Sequence, residues 1–118
     1  MEELFIGIDV AKDTLEVATT RGEKRSFANS DQGRSQLEAW IRPLHPVLVV
    51  LEATGGYEFP AVEHLAISAL PVAVVNPRQV RDFAKALGKL AKTDRIDAST
   101  IAQFALAVRP EPRPLKDA

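Results

Sequence analysis

Two short apolar runs, each carrying a carboxylate, constrain this chain more than any other feature. Residues 4–10 (LFIGIDV) are apolar except for Asp9, and residues 47–51 (VLVVL) are apolar throughout and followed at once by Glu52. Runs this short and continuous read as strands covered on both faces, at the centre of a sheet. A charge inside such a run is costly unless a metal, a cation or several donors compensate it. The turn over residues 11–14 offers donors of its own, which is an ordinary use of an aspartate. The second run, built the same way, points further. If the two strands lie parallel and adjacent, both carboxylates emerge at one edge of the sheet, where open α/β sheets place their sites.

The rest of the chain supplies the frame. Residues 14–20 alternate in the manner of a half-exposed antiparallel strand, and Arg21-Gly22-Glu23 turns the chain into a third strand over 24–28, giving a meander. Ser30 is a natural N-cap for a helix that buries Leu37, Trp40, Ile41 and Leu44 and is closed off by Pro43 and Pro46. His45 and His64 read as surface residues. After Glu52, the Gly55-Gly56 loop permits sharp turns and close approach of backbone amides to an anion, a weak signal by itself. A helix with Val62, Leu65, Ala66 and Leu70 inward leads to a fifth strand over 71–75. Asn76-Pro77 then opens a helix with a cap and a proline at its first position.

That helix has two faces. Val80, Phe83, Ala84 and Leu87 should pack on the sheet, while Arg78, Arg81, Lys85, Lys89 and Lys92 form a basic stripe continuing toward Arg95. A solvated helix face explains such a stripe in the ordinary way; its place beside the acids also suits phosphate contacts. Asp94 and Asp97 sit three apart, on one face of the last helix, unless they serve as N-cap and first-turn acid. Residues 1–108 make one domain, and the proline-rich segment 109–118 reads as a linker to a further domain.

Composition narrows the class. With 118 residues, 46% of them hydrophobic, the chain can build a core of its own. The absence of cysteine removes disulfides, thiolate metal sites and cysteine nucleophiles together. A formal charge of −1 means that any nucleic-acid role must come from local clustering. No apolar run reaches the ~20 residues of a membrane span, and the start lacks a basic leader, so a cytoplasmic protein without membrane contact is expected.

Asp9, Glu52, Asp94 and Asp97 would repel one another unless divalent cations were present, and carboxylates with water are the ligands magnesium or manganese prefer. Two such ions about 3.5–4 Å apart stabilise both the attacking and the leaving oxygen of a phosphoryl transfer. The element order, with acids after the first and fourth strands, is that of an α/β ribonuclease H-like fold with a mixed five-stranded sheet flanked by helices.

The residues also carry a family resemblance. Gly7-Ile8-Asp9-Val10-Ala11-Lys12, the stretch 51–57 (LEATGGY), the stretch 75–80 (VNPRQV) and the stretch 91–98 (AKTDRIDA) resemble the motif series of the DEDD transposases of insertion sequences, the Piv/MooV-like group. The resemblance implies a RuvC-like N-terminal catalytic domain, with the four acids on Asp9, Glu52, Asp94 and Asp97. It implies metal-dependent DNA cleavage and exchange, a serine nucleophile in a separate C-terminal domain, homo-oligomers and, in some members, a structured guide RNA. Lys12, Arg78, Arg81, Lys85 and Arg95 become the residues expected to touch nucleic acid. Two other readings use the same residues. A Holliday-junction resolvase-like nuclease would employ water with the same acids. An actin-like ATP-binding domain also begins with an Ile-Asp strand and hairpin, but its phosphate turn is usually richer in glycine and hydroxyls than Ala11-Lys12-Asp13.

Overall fold

A computed structural model of the chain describes residues 2–88 and 96–112. Its centre is the strand expected there: β1 (Phe5–Val10) pairs antiparallel with β2 (Thr14–Thr19) and parallel with β4 (Leu48–Glu52). β3 (Lys24–Ala28) lies antiparallel outside β2, and β5 (Val72–Val75) lies parallel outside β4, so the five strands run in the order β3-β2-β1-β4-β5. This mixed sheet has the meander on one side and the parallel crossovers on the other, as the sequence predicts.

Alternation along the strands assigns the two faces. Ile6, Ile8, Val10, Val49 and Leu51 point to one side, where α1 (Asp31–Ile41) and α2 (Phe59–Ile67) cover them with Leu37, Ile41, Ala61 and Leu65. Phe5, Leu48 and Val50 point to the other, beneath α3 (Pro77–Ala86) and α4 (Ala98–Val108), which contribute Val80, Ala84, Ile101 and Phe104. Gly7 belongs to this second face. A Cβ there would overlap Ala102 N and Ala98 O, so the missing side chain lets the first turns of α4 rest directly on β1.

The caps follow the sequence. Ser30 accepts from Gly33 N–H at 3.1 Å, and Asn76 forms a capping box with Gln79 at the start of α3, where Pro77 needs no amide partner. Two assignments change, one from core to surface and one from surface to half-buried. Leu87 is 47% exposed because α3 stops at Ala86 and Leu87 is its C-cap, past the sheet contact. His64 is half-buried, with Nε2 3.0 Å from Glu38 Oε1 across the α1–α2 contact. Ser68 Oγ donates to the same oxygen at 2.8 Å, and Arg42 Nη2 donates to Glu38 Oε2 at 2.8 Å and to the Ser68 carbonyl at 3.0 Å. Trp40 is half-buried against Phe27, ring centroids 6.1 Å apart, in keeping with a core role.

Arg109 ends α4 in the left-handed region (φ 51°), donates its N–H to Ala105 O, and lays its guanidinium 4.9 Å from the Phe5 ring while pairing with Glu3 at 3.0 Å. Pro110 to Pro112 run beside Ala73, Val75 and Gln79 at the β5 edge. Among the described residues no helix is long and apolar enough to cross a membrane.

Candidate active site

The two acid-tipped strands come together as the apolar runs imply. β1 and β4 are parallel and in register through Ile8–Leu51, so Asp9 and Glu52, one residue further along, stand side by side where the strands end. Both share the alternation of Gly7 and Val50 and therefore project toward α3 and α4. Glu52 is 7% exposed and its Oε1 is closed to solvent, whereas Asp9 is only half-buried. They line one cleft together with Thr54, Pro77, Arg81 and Ile96. Arg81, half-buried on α3, is among the described residues the member of the basic stripe that lines the cleft with both acids.

A second cleft adjoins the first at Asp9. Its lining includes Glu16 on β2, Lys24 on β3, and Asp97, Ala98 and Ser99 where α4 begins. Asp97 comes near Asp9 because α4 is seated on Gly7. Its placement differs from the expected helix face: α4 starts at Ala98, and Asp97 is its extended N-cap, Oδ1 accepting from Thr100 N–H at 2.8 Å and from Thr100 Oγ1 at 2.9 Å. Asp97 is therefore neither on the face of α4 nor an acid of its first turn, but its cap. Asp94 itself lies outside the described residues, as do Lys89, Lys92 and Arg95. Among the described residues no three acidic or imidazole side chains converge closely enough to enclose a metal ion.

Of the remaining basic residues, Arg78 and Lys85 are exposed on α3, and Lys12 is exposed in the turn after β1; none of the three lines either cleft. Three residues not singled out by the sequence belong here. Glu16 stands opposite Asp9 in the β1–β2 register, and Lys24 stands opposite Ala18 in the β2–β3 register. Their sign is the hairpin pairing fixed by the short turn in which Ala11 N–H donates to Thr14 O at 2.9 Å. The third is Glu58, a buried carboxylate (3% exposed) that gathers the loop after Glu52 by accepting from Thr54 N–H at 2.9 Å and Gly56 N–H at 3.0 Å. Burial acts to raise the Glu58 carboxyl, but hydrogen bonds from the Thr54, Glu58 and Gly56 amides and the Thr54 hydroxyl outweigh it and hold the group below the usual value of 4.5. The loop is thus built around an internal anion. Its glycines, at φ 74° for Gly55 and 112° for Gly56, take conformations that side chains disfavour.

Comparison with known proteins bears on the family and the fold. A family model described as transposase, of the DEDD type and the IS110 group, matches residues 6–118. The pilin gene-inverting protein of Moraxella bovis is 35% identical over 93% of this chain, and that of Moraxella lacunata 34% over the same share. The transposase for insertion sequence element IS1328 of Yersinia enterocolitica is 27% identical over 84% of this chain. The chain spans about a third of these relatives' length, 36%, 36% and 28% respectively. A structure of T. thermophilus RuvC in complex with Holliday junction substrate superimposes with a TM-score of 0.64, covering 95% of this chain and 100% of that chain at 16% identity. A second Thermus thermophilus RuvC structure gives 0.51 over 94% of this chain and 83% of that chain at 18% identity. The fold is therefore RuvC-like, within the ribonuclease H-like class, and the chain belongs to the DEDD transposase family of IS110-type insertion sequences.

Proposed function

We propose that this chain is the acid-bearing domain of a DNA recombinase that mobilises an insertion sequence by divalent-metal-dependent strand cleavage and exchange. The observation that carries the reading is the position of Asp9 and Glu52, adjacent at the ends of two parallel strands, with Arg81 in the same cleft. In this reading Asp9, Glu52, Asp94 and Asp97 would be the ligands of magnesium or manganese, with Asp9 and Glu52 side by side and Asp97 in the cleft adjoining Asp9. The donor set fits by type: all four are carboxylates, hard oxygen ligands of the kind these ions select. A bound divalent ion supplies charge neutralisation at the scissile phosphate. The chain's own contribution is to fix Glu52 in a buried position, to hold Asp97 at the start of α4, and to bring Arg81 into the cleft of Asp9 and Glu52.

Lys12, Arg78, Lys85 and Arg95 extend the basic contact surface for DNA in this reading. A structured guide RNA and further copies of the protein are its remaining partners. The exchange step, with its serine nucleophile, is assigned to the whole protein.

The test compares Asp9→Asn and Glu52→Gln with the unaltered protein in thermal unfolding and in strand cleavage. An ion that binds only the folded state adds about 2.7 kcal/mol of stability at a hundred times its Kd. Manganese or magnesium should therefore raise the melting temperature, less so in Asp9→Asn. Cleavage should fall in both variants while DNA affinity holds or rises, because each change removes a negative charge. Full cleavage by Asp9→Asn would end the assignment.

A further inference from the structure

We infer that Lys24 is a second phosphate anchor, so that a nucleic-acid strand is held on both sides of Asp9, by Arg81 in one cleft and by Lys24 in the other. The inference rests on the proposed DNA-handling role and adds to it a contact surface on the β2–β3 hairpin. The two clefts share Asp9, and the lining of each includes one basic side chain, Arg81 in one and Lys24 in the other. Lys24 is exposed and pairs with none of the described residues in an ion pair, although Glu16 and Asp97 line the same cleft. Both of those acids have other donors: Ser26 Oγ donates to Glu16 Oε2, and Thr100 donates to Asp97 Oδ1. A lysine in an acidic cleft that pairs with neither acid keeps its charge available for an anion.

The surface around it is open. Thr14, Glu16, Lys24 and Ser26 share the face of the hairpin that α4 covers over β1, yet all four are exposed, with Ala98 and Ser99 at the start of α4 bordering the same cleft. A strand leaving the acids past Lys24 runs along this exposed strip of the hairpin, beside the start of α4. This partner is a phosphodiester backbone, whose negative charge complements the lysine.

The experiment measures binding of this chain to single-stranded and branched DNA over a salt series, for the unaltered protein, Lys24→Ala, Lys24→Arg and Arg81→Ala, with melting temperatures as the folding control. For a lost phosphate contact, the slope of log affinity against log salt should shrink by about 0.7 for single strands and about 0.9 for duplex arms. Lys24→Ala should show that loss and Lys24→Arg should retain the slope. An unchanged slope in Lys24→Ala beside a reduced one in Arg81→Ala overturns the inference and leaves the functional reading standing. No salt-dependent DNA binding by the unaltered chain overturns both.

Discussion

Gly7 shows how one missing side chain decides where the acids meet. Because a Cβ at this position would coincide with backbone atoms of Ala98 and Ala102, Gly7→Ala must push α4 off β1 rather than displace a flexible side chain. Overpacking of this kind costs typically about 1–3 kcal/mol, and backbone has less room to yield than a side chain. The expected outcome is a melting temperature lowered by several degrees, read by circular dichroism, together with weaker metal binding because Asp97 moves with α4. An alanine variant as stable as the parent would show that α4 is not seated as described. Asp9 and Glu52 were legible in the sequence because a carboxylate stands out within or after an apolar run. Glu16, Lys24 and Glu58 were not, since each resembles an ordinary surface charge until strand register or loop closure gives it neighbours. Glu58 in particular stands just ahead of an apolar helix and looks like a first-turn acid, yet it is buried and serves the loop preceding that helix.

At the level of elements, the strands and most helices followed from periodicity, because burial on one or both faces writes itself into the spacing of apolar residues. Helix limits did not follow equally. The basic and apolar faces of α3 are regular through Leu87, but the helix stops at Ala86, and nothing in the repeat marks that stop. At α4 the spacing of Asp94 and Asp97 matched a shared helical face, whereas the N-cap geometry of Asp97 starts the helix only at Ala98. This dual position separates two roles experimentally. Asparagine caps about as well as aspartate, while alanine costs about 0.5–2 kcal/mol at an N-cap. Asp97→Asn should therefore melt close to the unaltered protein and lose DNA cleavage, and Asp97→Ala should lose both. If Asp97→Asn retains full cleavage, Asp97 is a structural cap alone.

The whole molecule is held by two apolar layers, one on each face of the sheet, and its polar ties are concentrated on the α1–α2 side and in the loop after β4. These ties predict how the fold answers to acid. Hydrogen bonds from Arg42 and Ser68, with a smaller one from His64, outweigh burial and lower the Glu38 carboxyl from 4.5 to about 2. The Glu58 carboxyl is displaced in the same direction. A carboxyl with a lower pKa in the folded state than in the unfolded one takes up protons preferentially on unfolding. Its contribution to stability is complete above pH 4.5 and drains away as pH falls toward about 2. Denaturant midpoints measured from neutral pH downward should stay level to near pH 5 and then drop. Glu38→Gln, which cannot ionise but retains an amide oxygen for Ser68, should start lower at neutral pH and fall less steeply below pH 4.5. The difference between the two proteins should thus narrow as the pH decreases. A constant difference across the whole range would mean that the tie between α1 and α2 owes its strength to packing and not to the charge on Glu38. The Glu38 tie lies on the α1–α2 face of the sheet, whereas Asp9 and Glu52 project toward α3 and α4. Acid-induced loss of metal binding and acid-induced unfolding are therefore separable by measuring both in the same pH series.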